Sequence, residues 1–96
     1  GFAAGGGVTG LTVNVLAGAT VNDNGTAAIS VNDGNAVANN GTISIGMSVN
    51  GIEAGSSNTL TNGGTITALD NGVGIRAADH NTITNTGMVT AGDFGG

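Results

Sequence analysis

Over short stretches of this chain, single apolar residues alternate with threonine, serine or asparagine, and each stretch is closed by glycine or asparagine. Thr59-Leu60-Thr61 holds one apolar side chain between two polar ones, and Thr65-Ile66-Thr67-Ala68 places Ile66 and Ala68 on one face and both threonines on the other. Strict alternation of this kind predicts a strand with one buried face. The breaks at Asn62-Gly63-Gly64 and Asp70-Asn71-Gly72 predict turns, the glycines supplying a positive φ without steric cost. Val73-Gly74-Ile75-Arg76-Ala77 predicts a third strand with Val73, Ile75 and Ala77 inward. Ser57 to Asp79 thus predicts three short strands joined by three corners.

The same unit recurs. Gly41, Gly64 and Gly87 stand 23 residues apart, and so do Asn35, Asn58 and Asn81, Asn39, Asn62 and Asn85, and the apolar set Val37, Leu60 and Ile83. A fixed period in this range marks a stacked architecture in which no unit buries its apolar face alone. Shifting by one period lays Ile43 under Ile66 and Val89, Ile52 under Ile75, Ile45 under Ala68 and Ala54 under Ala77. The predicted fold is all-β, a parallel β-helix or β-solenoid with coils of about 23 residues and three strands per coil, adjacent coils lying about 4.8 Å apart. The core expected is Val37, Leu60, Ile83, Ile43, Ile66, Val89, Ile52 and Ile75. At the corners, the two asparagine columns are placed to hydrogen-bond from coil to coil as ladders, a structural role.

These columns divide the chain into coils at 18–33, 34–56, 57–79 and 80–96, preceded by a Gly-rich segment and partial coil at 1–17. The 18–33 coil is short, with Val21 opening it, Ile29 and Val31 closing it, and the middle side absent. Leu11-Thr12-Val13-Asn14-Val15 reads as a further closing strand. Glu53 and Arg76 share one column on an outer face, where an exposed ion pair would be worth at most about 1 kcal/mol.

The segments Asn39-Asn40-Gly41-Thr42-Ile43, Asn62-Gly63-Gly64-Thr65-Ile66 and Asn85-Thr86-Gly87-Met88-Val89, with the Gly-Ile-x-Ala strands at Gly51 and Gly74, resemble the repeats of bacterial autotransporter passengers and related surface adhesins. The resemblance runs from about Gly18 to the end. It implies a right-handed parallel β-helix, displayed on the bacterial cell surface or secreted.

Composition narrows the chemistry. With 7% charged residues and a mean hydropathy of +0.23, the chain lacks the signature of disorder, and with no proline every backbone amide can join a ladder. Six acids face a single cation, Arg76, for a net charge of −5, which disfavours nucleic acid and anionic membranes as partners. No apolar run approaches the roughly 18 residues of a membrane span, and the absence of cysteine removes disulfides and thiolate metal sites.

Candidate reactive groups are few. Asp70 and Asp93 fall in one column and resemble a carboxylate pair, but Met47 holds that position one coil earlier and no cation is in register, so both read as solvated turn residues. His80 falls in the corner column of Gly34 and Ser57 and reads as an exposed turn residue. Gly92-Asp93-Phe94-Gly95-Gly96 touches the vocabulary of calcium-binding nonapeptides without their period. No catalytic, cofactor or metal site is expected.

The function expected is a non-enzymatic, extracellular structural or adhesive module. Its partners would be a second copy, the remainder of a longer chain, or host and matrix glycans. The C-terminal stretch His80 to Gly96 resembles the first 17 positions of a coil and Leu11 to Ala17 the last seven, so the ends look complementary, as in a head-to-tail filament. The rival reading is a small glycan-binding or glycan-cleaving β-helix. Outward threonine columns (Thr59, Thr61, Thr82, Thr84; Thr42, Thr65, Thr67) also resemble those of ice-binding solenoids, though Ala36, Ala38 and Met88 interrupt them.

Overall fold

The computed structural model describes residues 1–96 and contains twelve β-strands and no helix. They are β1 (Phe2–Ala3), β2 (Thr12–Val15), β3 (Thr20–Asp23), β4 (Ala27–Val31), β5 (Ala36–Asn39), β6 (Thr42–Ile45), β7 (Asn50–Ala54), β8 (Thr59–Asn62), β9 (Thr65–Ala68), β10 (Val73–Ala77), β11 (Thr82–Asn85) and β12 (Met88–Thr90). All pairing is parallel, in three four-stranded sheets ordered β2-β5-β8-β11, β3-β6-β9-β12 and β1-β4-β7-β10. Each sheet is one side of a β-solenoid of about four turns, with coils of about 23 residues and three strands per coil.

The alternation in sequence becomes the inside and outside of this coil. Val37 pairs with Leu60, Ile43 with Ile66 and Ile52 with Ile75, and these columns meet along the axis. Thirteen buried residues form one core, in which Ile29, Ile43, Ile52, Leu60 and Ile66 are the largest fully enclosed side chains. Val15, Ala28 and Val49 complete it beyond the repeating columns.

Several features depart from the alternation. On the third side, two consecutive residues point inward, Ala28 with Ile29 and Gly51 with Ile52, so the strand bends at its start. The equivalent pair in β10 is Gly74 and Ile75; Gly74 is buried, and Val73 lies outside the core that it was expected to join. A side chain at Gly51 would strike Ile66 and the Gly74 carbonyl, which explains glycine at this inner position.

The first coil is complete, contrary to the expectation of a missing middle side. β2 pairs with β5 at a step of 24 residues, and β3 with β6 at a step of 22, so Leu11–Val15 opens the coil and Val21 belongs to its middle side. A longer corner at Leu16–Ala19, where Gly18 has φ 85°, takes up the difference. The Gly-rich start supplies β1, which pairs with β4 through Phe2↔Ile29.

The last coil is covered on one side only. Ile83 is 49% exposed, and Val89 and Ile75 are partly buried against the core, so three members of the expected core form its open C-terminal end.

Candidate functional surface

Two asparagine columns run through the second, third and fourth coils, and they differ in construction. In the first, each carboxamide grips the coil beneath it. The backbone amides of Leu11, Asn35 and Asn58 donate to the Oδ1 atoms of Asn35, Asn58 and Asn81 at 3.0, 2.7 and 2.8 Å. The Nδ2 groups of Asn35, Asn58 and Asn81 donate to the carbonyls of Val8, Asn32 and Gly55 at 3.2, 2.7 and 2.8 Å. In the second column the carboxamides donate toward the C-terminal end. Asn39 Nδ2 donates to Asn62 Oδ1 at 2.9 Å and to the Thr65 carbonyl at 3.1 Å, and Asn62 Nδ2 donates to Asn85 Oδ1 and the Met88 carbonyl at the same distances. Asn35, Asn39, Asn58 and Asn62 are buried, and no buried side-chain polar atom is left without a partner. Apolar side chains could not satisfy these corners, where the backbone turns inward and its polar groups leave the sheet ladder.

The corner glycines serve a different purpose from the one the turn reading assigned. Gly41, Gly64 and Gly87 do not have positive φ. A Cβ on Gly64 would instead collide with the Gly41 carbonyl, and a Cβ on Gly87 with the Gly64 carbonyl, so glycine permits close coil-to-coil approach. Apart from Gly7 and Gly18, the left-handed residues lie in two other columns. Gly10, Gly34, Ser57 and His80 occupy one, at φ 71°, 71°, 59° and 59°. Ser48, Asn71 and Phe94 occupy the other, at φ 59°, 60° and 59°. His80 is therefore an exposed corner residue.

The charged groups are dispersed around the coil. Asp70 Oδ1 accepts the Asp93 backbone amide at 2.9 Å and Asp33 Oδ1 accepts the Ser56 amide at 2.7 Å, so these carboxylates cap exposed corners one coil on. Glu53 and Arg76 are register partners, but the expected ion pair does not form. Glu53 Oε2 instead accepts from Asn50 Nδ2 on its own strand at 2.6 Å, because the inward pair Gly51-Ile52 brings residues three apart to the same side. The one ion pair joins the Gly1 amino group to Asp23 Oδ2 at 2.9 Å. That amino group first, and then the Gly25 amide, hold the Asp23 carboxyl below its ordinary range.

Two sides of the solenoid present outward faces of small uncharged residues. The first carries Thr12, Thr59, Thr61, Thr82 and Thr84 with Ala36 and Ala38, and the second Thr42, Ser44, Thr65, Thr67 and Thr90 with Met88. The two ends are sheet edges, β1, β2 and β3 at one and β10, β11 and β12 at the other, where β11 and β12 are open and the start of β10 is paired by Gly96, which accepts the Gly74 amide at 2.6 Å and donates to the Gly72 carbonyl at 3.0 Å. At the first, a shallow depression of about 380 Å³ is lined in part by Phe2, Asp23, Thr26 and Ser30. Compared with protein-family models, curated proteins and solved structures, the chain matches none.

Proposed function

We propose that this chain is a non-enzymatic structural or adhesive β-solenoid module that works outside the cell and extends by pairing coil upon coil at its ends. The observation that carries the reading is the pair of open edges. An exposed parallel edge is a template for another strand, and natural sheets blunt such edges with charge, proline or a covering element. Here β11 and β12 carry no charged side chain and no proline, and the apolar Ile83 of β11 stands half-exposed. The repeat resemblance to surface adhesins supports the extracellular setting, and the uncharged threonine faces suit lateral contact with a matrix or neighbouring fibres.

Sedimentation velocity with residue-resolved amide exchange tests this at rising protein concentration. End pairing should protect Thr82–Asn85 and Met88–Thr90 while leaving Leu60 and Ile66 unchanged, with no saturable binding on a glycan array. Saturable glycan binding without any protection of the edge strands would favour the glycan-binding alternative.

A further inference from the structure

The asparagine columns give the solenoid a polarity that its backbone alone does not have. Each backbone amide in the first column is answered by an Oδ1 in the coil above, from Leu11 through Asn58. Asn81 has the same geometry with no coil above it, and its backbone amide has no acceptor. In the second column, Asn39 and Asn62 each donate upward to the next carboxamide, and Asn85 Nδ2 is the next donor in line. The C-terminal end therefore exposes two donors whose counterparts, at Leu11, Asn35 and Asn58 in the first column and at Asn39 and Asn62 in the second, are met by asparagine side chains.

The N-terminal end is built differently. β2 pairs with β5 so that Val15 lies beneath Asn39, and Leu11 lies beneath Asn35 at the corner just before the paired strands. If a second copy were stacked in the same register, Leu11 would face Asn81 and Val15 would face Asn85. Neither side chain can accept a hydrogen bond. Stacked in this way, the Asn81 amide would be buried without a partner, and Asn85 Nδ2 would keep only a backbone carbonyl of the kind that Thr65 and Met88 offer below, a penalty that pairing through the asparagine sequence avoids.

We propose that the C-terminal end of the solenoid selects a parallel coil bearing Asn-x-[apolar]-x-Asn at its opening strand, and discriminates against the N-terminal end of another copy of this chain. The apolar residue of that motif covers Ile83, as Leu60 covers Val37. The two asparagines supply the Oδ1 atoms that Asn81 and Asn85 face. The selection rests on the end-pairing reading above and names its partner.

The test converts the chain's own N-terminal end into a match. Leu11→Asn with Val15→Asn should associate end to end at a concentration at least about tenfold below that of the unaltered chain, since two buried donors gain acceptors. Adding Asn85→Ala should remove the share of the gain that runs through its Nδ2, whereas Asn81→Ala, which keeps the backbone amide that donates, should leave the remaining share intact. Because Val15 is buried, a second measurement uses the unaltered protein with synthetic peptides. A peptide of residues 34–46, which carries the motif, should shift the resonances of Thr82–Thr90 at lower concentration than a peptide of residues 10–24. Equal association by the unaltered and substituted chains, with equal peptide effects, would overturn the asparagine selection while leaving end pairing intact. Failure of every form and both peptides to associate would overturn end pairing and the selection with it.

Discussion

Asn62→Ala should be the most informative single change in the ladders. The Asn62 carboxamide is fully buried, accepts from Asn39 Nδ2 at 2.9 Å and donates to Asn85 Oδ1 at 2.9 Å and the Met88 carbonyl at 3.1 Å. Three hydrogen bonds are lost together. At a net worth of about 1 kcal/mol each, the loss is roughly 3 kcal/mol. Two features move this value in opposite directions. Asn39 Nδ2 keeps the Thr65 carbonyl and Asn85 is exposed to water, which soften the penalty, whereas the vacated volume at a fully enclosed corner adds to it. The expected cost is therefore about 2–4 kcal/mol, a large share of the stability of a domain this size. The chain has no Trp or Tyr, so far-ultraviolet circular dichroism is the probe for a urea titration. With a slope of about 1–3 kcal/mol per molar urea, the midpoint should fall by roughly 1–3 M. Asn85→Ala, at the exposed end of the same column, should cost less than about 1 kcal/mol. Equal midpoints for the two variants would refute the claim that the buried ladder carries stability.

Ile66→Asp buries a carboxylate between Ile43 and Val89 and should cost more than about 4 kcal/mol, whereas Thr65→Asp on the outer face should be mild; similar urea midpoints would mean the two faces are assigned wrongly. Gly64→Ala meets the Gly41 carbonyl and should destabilise by more than about 2 kcal/mol, while Gly63→Ala meets only the movable Asn40 side chain and should be tolerated, a contrast that thermal melts would expose. Ser57→Gly relieves a left-handed φ of 59° at an exposed corner and should raise stability by about 0.5–1 kcal/mol after the entropy of the unfolded glycine is subtracted; a loss in the melt would contradict the corner geometry.

The repeat makes most of this architecture legible in the sequence alone. A period of 23 residues aligns Val37 with Leu60 and Ile43 with Ile66, and both pairings follow from alternation plus the shift. What alternation could not resolve was position around the coil. Strands on the first and second sides both read as one or two inward residues between threonines or asparagines, so Val21 fits either, and only the Leu16–Ala19 corner decides between them. Strict alternation also placed Val73 inward, where a bend in the strand turns Gly74 in instead. The glycine columns were recognised by spacing, yet their cause lies between coils, in a carbonyl one period away that no local turn rule contains. Exposure of Ile83 has the same origin, since a repeat pattern carries no information about which coil lies at the end.

The central claim is that asparagine ladders with defined polarity hold successive coils together. Scalar couplings transmitted across hydrogen bonds, measured by NMR on uniformly labelled protein, test it directly. Couplings should join the Asn35 amide nitrogen to the Asn58 Cγ and the Asn58 amide nitrogen to the Asn81 Cγ, while the Asn81 amide nitrogen shows none. Absence of the first two, or coupling of these amides to backbone carbonyls instead, would contradict the account.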